Sequence, residues 1–423
     1  MRFAGDLSVC LFVCLFVCLF VCFLLHCTFH LNSNQFVAGK KKSEPAASGC
    51  PFAEIIKATA PAVAPHVPAI VNDFYPRMFE NNPETKAFFN PANQFADPPL
   101  QRQALANAIL AYATNIDDLT PLAVPVEMIA NKHCGLGVLP EHYPIVHDNL
   151  LKSIAHILGP KVVTPEIGKG WSDAVLALAD ILAKREEELY KAAEARDGGW
   201  RGVKKFKILR KRAVSTRSIE FTFEAVDNPE PIGFSPGQFL TIHIGIEGAT
   251  PRHYTVTSKP GDAFLQCCVA LEDKGFVSKA LHGMDEGTVV GLAAPFGLFR
   301  IKDKPAVLVS AGIGVTPMKS FLTAHPDKIR MALHVERNKE AHAFRDYFLK
   351  SGIECQFIYT EGRTPRHPTP AELMEILGPH VKDCDFYLCG PPPFVNGTKD
   401  ALTAAGAEGV YRDVFGPDLA GLM

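Results

Sequence analysis

The chain has 423 residues, too many for one ordinary core and enough for about three domains at roughly 100 to 200 residues each. Charged residues make up 21% of it and the formal net charge is −2, so no excess of Lys and Arg marks a nucleic-acid partner, and small molecules are the expected ligands. Cys10, Cys14, Cys18, Cys22 and Cys27 crowd the amino terminus, and the other cysteines are scattered without paired metal-ligand spacing; free thiols in a reducing compartment fit this pattern.

Residues 1–49 form a leader. Val9 to Leu25 is unbroken apolar sequence on a Cys-Leu-Phe-Val repeat, just short of the roughly 18 to 20 residues that usually span a bilayer and longer than the usual signal-peptide core. A membrane anchor, a cleaved signal and a repetitive stretch upstream of the true start are three open readings. With Lys40, Lys41 and Lys42 on its carboxyl side, an anchor would keep the main body cytosolic.

Residues 50–198 are rich in Ala and Leu, with helical apolar spacing such as Val126, Ile129, Ala130 and His133. Prolines including Pro61, Pro83, Pro121, Pro140 and Pro165 punctuate the segment, which predicts several moderate helices in an all-α domain. Its last helix is expected from about Glu166 through Tyr190, stopping near Gly198-Gly199. Residues 199–302 change to short β-branched and aromatic runs, Ser218 to Glu224, Phe239 to Ile246 and His253 to Thr257, and read as an antiparallel β-barrel. Residues 303–423 alternate apolar strands (Ala306 to Ser310, Arg330 to Val335, Cys355 to Tyr359, Asp385 to Cys389) with helices, the rhythm of an α/β parallel sheet.

Four segments carry chemistry. In Ala311-Gly312-Ile313-Gly314-Val315-Thr316-Pro317, glycines after a buried strand let the backbone approach a pyrophosphate at a helix amino end, although Pro317 stands where a dinucleotide fingerprint has its third glycine. In Arg252-His253-Tyr254-Thr255, the strand period puts Arg252 and Tyr254 on one face, a guanidinium for a diphosphate and a phenol for a flavin. Gly275-Phe276-Val277-Ser278 offers a second phosphate-seeking turn, and Tyr387-Leu388-Cys389-Gly390-Pro391 ends a strand where open α/β sheets bind ligands.

Together with the closing Val414-Phe415-Gly416-Pro417, these motifs resemble the ferredoxin-NADP reductase family over about residues 201–423. The resemblance implies that Phe239, Arg252, Tyr254, Thr255 and Ser278 hold FAD, that Gly312, Gly314, Thr316, Cys389 and Gly390 line the nicotinamide nucleotide site, and that Phe415 lies against the flavin. The segments Asp73-Phe74-Tyr75-Pro76-Arg77-Met78-Phe79, Asn131-Lys132-His133, Pro140-Glu141-His142-Tyr143 and Lys184-Arg185-Glu186, with Gln101, resemble the globin domain of flavohaemoglobins over about residues 50–196. That likeness implies a haem b iron ligated by His133, with Tyr143 and Glu186 behind it, and a distal pocket with Tyr75, Gln101 and Leu105. Phe239, His253 and Asp413 stand where relatives often carry Tyr, Gln and Glu, and the stretch Phe95 to Leu100 is two residues longer than usual.

The implied activity is that of a nitric oxide dioxygenase: O2 and NO become nitrate at the haem, with electrons from NAD(P)H passed through FAD. Two other readings stay open, a haem-linked NAD(P)H reductase for other acceptors and a membrane-tethered oxygen or redox sensor. A cytoplasmic monomer is expected, with membrane association through residues 9–25 if they anchor. Arg337, past a predicted strand, is a possible partner for a 2′-phosphate, so NADH and NADPH both remain open.

Overall fold

The computed structural model describes residues 52–95, 99–364 and 367–416; the apolar run Val9 to Leu25 and residues 96–98 ahead of Gln101 lie outside them. The chain begins with helices α1 (Ala53–Val63), α2 (Val67–Asn81), α3 (Pro91–Phe95), α4 (Leu100–Thr114), α5 (Ala123–Leu136), α6 (Tyr143–Leu158) and α7 (Pro165–Glu194). Prolines open most of the single turns between them, since their fixed φ suits a first turn and their missing donor is not needed there. Pro61 is an exception to the expected punctuation: it sits in the last turn of α1, where it forfeits the one bond to the Lys57 carbonyl and only two helical residues follow it. Gly137, at φ +80°, ends α5 in the left-handed conformation that a side chain would oppose. Ile56, Ile70, Phe74, Met78, Ile154 and Trp171 fill the helical core. No helix among the described residues is long and apolar enough to cross a membrane.

Six antiparallel strands come next: β1 (Val203–Ala213), β2 (Ser218–Ala225), β3 (Phe239–His243), β4 (Arg252–Thr255), β5 (Leu265–Ala270) and β6 (Val289–Phe296). They lie in the order β4-β3-β6-β1-β2-β5, and a bridge between Val256 and Cys267 brings the sheet's ends together as a barrel. β3 stops at His243, short of the expected Ile246, because Gly245 turns the chain at φ +69°. Helix α8 (Phe276–Gly283) packs on β5. The last part is a parallel sheet in the order β11-β10-β7-β8-β9, built from β7 (Ala306–Ala311), β8 (Ile329–Glu336), β9 (Glu354–Tyr359), β10 (Asp385–Cys389) and β11 (Val410–Asp413). Helices α9 (Val315–Ala324), α10 (Arg345–Leu349), α11 (Pro370–Leu377) and α12 (Pro392–Ala404) lie between its strands in sequence. β7 is buried at every position, as a central parallel strand covered on both faces should be.

The three parts are welded at named contacts. Cys134 of α5 and Tyr190 and Ala193 of α7 share one core with Phe206, Leu240 and Phe296 of the barrel. Between barrel and parallel sheet, Lys319 of α9 reaches Glu220 of β2 at 3.1 Å and donates to the Thr257 carbonyl at 2.7 Å, all out of solvent. Such a pair is costly to bury, and losing Glu220 would strand the Lys319 charge, whereas Glu220 is also held by Arg212.

Candidate active site

On α5, His133 stands where α7 passes over it. Its Nδ1 lies 2.7 Å from Glu186 Oε1, and the Tyr143 hydroxyl donates to the same oxygen at 2.6 Å. Glu186 is 2% exposed, and its other oxygen has no hydrogen-bond partner among the described residues, so the carboxylate's acceptor capacity is aimed at the imidazole and the phenol. With Nδ1 held by the carboxylate, Nε2 is the nitrogen left for a metal, and hydrogen bonding to Nδ1 makes the imidazole a stronger ligand. Burial, and then the adjacent Glu186, push the Tyr143 phenol far up, which keeps it a donor. Next to Glu186, Arg185 grips Glu127 of α5 through two bonds of 2.6 and 2.7 Å, pinning α7 to α5 beside the histidine.

Tyr75, Gln101 and Leu105 come together as a second group. Tyr75 is 2% exposed; its ring meets Phe79 and Phe89 at 5.9 and 5.5 Å, and Leu105 packs against the same cluster. Burial raises the phenol to about 12, against the amides of Gln101 and Gln94 and the charge of Arg102, all close enough to pull it down. The phenol is therefore neutral and able to donate at physiological pH. Gln94 was not among the residues expected here, and neither helical period nor motif marks it; its burial is a tertiary fact.

The flavin-type residues also converge. Arg252, Tyr254, Thr255, Ser278, Thr316 and Phe415 line a groove of ≈ 520 Å³ between barrel and parallel sheet. Thr316 donates to the Thr255 hydroxyl at 3.2 Å, joining the two halves of the groove. Asn90 and Pro91 from the helical part close one wall, and Asn90 Oδ1 accepts from Arg252 Nη2 at 2.7 Å. Phe239 does not line this groove: its ring packs at a tilt against His253, with centroids 4.4 Å apart, and faces Gly135 of α5.

Gly312, Glu336 and Arg337 line a smaller pocket of ≈ 150 Å³ at the strand ends. Gly312 turns at φ +55°, and a Cβ on Gly314 would lie 2.4 Å from the Cys389 carbonyl oxygen and 2.8 Å from the Gly390 nitrogen. Gly312 is thus favoured by its left-handed backbone, and Gly314 by the close approach of the Cys389–Gly390 backbone. The Cys389 thiol is fully buried in the sheet core, so only its backbone faces that turn.

Comparison with known proteins matches this arrangement. Residues 72–182 match the globin family and residues 205–301 the oxidoreductase FAD-binding domain. A flavohaemoprotein of Pseudomonas aeruginosa is 36% identical over 387 residues, 86% of this chain and 97% of the relative. One from Rhizobium meliloti is 37% identical over 397 residues, covering 86% and 98% of the two chains. This chain belongs to the flavohaemoprotein family. The fold agrees: the crystal structure of a flavohaemoglobin from Malassezia yamatoensis, described with bound FAD and haem, superimposes with a TM-score of 0.72 at 24% identity over 86% of this chain and 98% of its own.

The residues present fit those cofactors. In this flavohaemoprotein the imidazole is held at one nitrogen and open at the other, a buried phenol and amides face the opposite pocket, and the long groove has a cation at one wall and an aromatic ring, Phe415, at another. Between the two sites runs α5: Asn131 Oδ1 accepts from the Gly297 backbone of the barrel at 2.9 Å, and Lys132 donates to the Gly416 carbonyl beside Phe415 at 2.7 Å.

Proposed function

We propose that this chain is an NAD(P)H-dependent nitric oxide dioxygenase, and that His133 holds the haem b iron through Nε2. Haem, FAD and a nicotinamide nucleotide, once bound, would supply the redox chemistry: hydride uptake, its division into single electrons, and a ferrous centre for the oxidation of NO by O2 to nitrate. Everything else is done by the chain. Glu186 and Tyr143 fix the imidazole tautomer and raise its basicity. Tyr75, kept protonated by burial, offers one donor in a dry pocket where partial negative charge develops on oxygen, and Leu105 limits the space beside it. Arg252 supplies charge for the flavin diphosphate, Tyr254 and Phe415 flank the ring, and Thr255, Ser278 and Thr316 offer hydroxyls along the groove. Gly312 and Gly314, with Gly390, open the turn for the nicotinamide nucleotide pyrophosphate.

The observation that carries this reading is the His133–Glu186–Tyr143 constellation on a helix that is itself packed against a flavin-type groove. We read the domains as 50–198, 199–302 and 303–423, the working form as a monomer and the body as cytosolic, the lysines after Val9 to Leu25 favouring that side if the run is an anchor rather than a cleaved signal or a stretch upstream of the start. Fractionating cells that express the full chain tests the tether, and wholly soluble protein removes it.

In the purified full chain supplied with haem and FAD, NAD(P)H oxidation should accelerate when NO is added in the presence of O2, with nitrate as product. His133→Ala should abolish stable haem binding and this NO-dependent rate while FAD content and NAD(P)H-driven dye reduction persist. A normal haem spectrum in His133→Ala would overturn the ligand assignment, and a parent without NO-dependent turnover would overturn the activity.

A further inference from the structure

Helix α3, five residues long, connects the two candidate sites. At its start, Asn90 and Pro91 wall the large groove, and Asn90 holds Arg252. Near its end, Gln94 is 2% exposed, and neither its Nε2 nor its Oε1 has a hydrogen-bond partner among the described residues. Primary amides are rarely buried with both polar atoms unpaired, because each then forfeits its water without compensation, so such a group calls for a partner that arrives later. The ring that precedes α3, Phe89, packs edge-on against both Tyr75 at 5.5 Å and Phe79 at 5.4 Å. That ring contact and the Gln94 N–H bond to the Asn90 carbonyl at 3.3 Å hold the start of α3 beside Tyr75, and the Gln94 amide lies close enough to the phenol to act on its acidity.

We propose that Gln94 is a positioning residue for Tyr75: when a diatomic ligand enters the pocket, the amide Nε2 donates to the phenol oxygen and leaves the phenol O–H directed at the ligand. The inference rests on Tyr75 being the distal donor proposed above. A phenol oxygen has acceptor capacity as well as a proton, and an amide that occupies the acceptor side both orients the hydroxyl and makes it a better donor. Gln101 also lies near the phenol, but it is partly exposed and so open to water, whereas Gln94 is buried with no hydrogen-bond partner among the described residues. This division of labour assigns ligand polarisation to Tyr75 and its alignment to the residue whose helix also touches the flavin groove.

The test is a double-mutant cycle in the haem- and FAD-loaded full chain, read by oxygen dissociation from the ferrous protein and by the C–O stretching frequency of its carbon monoxide complex. Gln94→Leu should speed oxygen dissociation roughly two- to tenfold, the scale of one neutral hydrogen bond, and raise the C–O frequency, with haem content unchanged. In a Tyr75→Phe background the same substitution should change neither reading, because its target oxygen is gone. Gln94→Met, which keeps the unbranched length, gives the same comparison if Leu disturbs α3. If Tyr75→Phe has its effect but both Gln94 variants behave as the parent, or act equally in both backgrounds, the positioning role is wrong while the distal pocket stands. If Tyr75→Phe itself changes nothing, the distal reading falls, and this inference falls with it.

Discussion

Tyr75 and Glu186 show how much chemistry rests on single buried atoms. Tyr75→Phe keeps the ring and its contacts with Phe79 and Phe89 but removes a donor from a dry pocket, a loss of about 1.5 to 3 kcal/mol. Oxygen should leave the ferrous protein roughly ten- to a hundredfold faster, with FAD content and flavin reduction by NAD(P)H unchanged. Stopped-flow oxygen release decides it, and a parental rate would make Tyr75 a core aromatic only. Glu186→Gln keeps the shape but not the charge, so it leaves His133 and Tyr143 competing for one neutral acceptor. NO turnover should drop about ten- to a hundredfold while haem stays bound, and the iron–histidine stretching frequency should fall. Unchanged turnover and frequency would mean that the carboxylate only fills space. At this scale the sequence was informative where a residue sits in a contiguous motif, as His133, Arg252 and Gly314 do. It was silent on Gln94, whose burial depends on the fold of a five-residue helix among prolines and asparagines.

Helix α5 is the element on which both halves of the proposed reaction depend. Two residues after His133, a Cβ on Gly135 would lie 2.8 Å from Thr241 Oγ1, 2.9 Å from the Phe239 ring and 3.1 Å from His253 Cε1. The helix therefore approaches the barrel as closely as backbone allows, and its periodicity could not reveal this, since Gly135 reads from sequence as a residue near a helix end. Gly135→Val should push α5 away from β3 and β4 at a cost of about 1 to 3 kcal/mol, the usual range for overpacking. Electron transfer from flavin to haem should slow, whereas reduction of the flavin by NAD(P)H should not. Transfer at the parental rate would show that α5 and the barrel can slide past one another without consequence. The glycine-led turn at Gly312 and the strands β7, β8 and β10 were legible in the sequence, because buried parallel strands and phosphate turns are local patterns. The end of β3 and the tolerance of Pro61 in α1 were not, because each depends on where the chain turns next: at Gly245 for the strand, and just past Val63 for the helix.

For the molecule as a whole, stability depends on tertiary contacts that no local pattern encodes, and two of these hold histidines neutral, one between α5 and the barrel and one inside the parallel-sheet domain. At the barrel–α5 contact, burial lowers His253 to about 3, helped by the charges of Lys132 and Arg252 and by His243, while Thr241 Oγ1 bonds its Nδ1 at 2.8 Å. In the parallel-sheet domain, burial lowers His342 to about 2, helped by His334, whose tilted ring lies 4.2 Å away, and by Arg345. Unfolded, both would titrate near 6.5. Between about pH 6.5 and 3 the unfolded chain therefore binds protons at these sites that the folded chain refuses. Folding stability is accordingly full above pH 6.5 and lost on acidification, by about 1.4 kcal/mol per pH unit for each such proton. Carboxylates whose pKa is lowered on folding, such as Asp73 and Glu187, add to the loss only as pH approaches their own range, so pH 5 to 6.5 isolates the histidines. His253→Gln removes one of these titrations, to which His243, also lowered by burial, adds a third, and leaves an amide able to pair with Thr241. Its denaturant midpoint should fall less steeply from pH 6.5 to 5 than the parent's, by close to one proton's worth of slope, with the two curves converging on the same shape above pH 7. Parallel curves throughout would show that His253 protonates freely in the folded protein, and that water reaches the contact between α5 and the barrel.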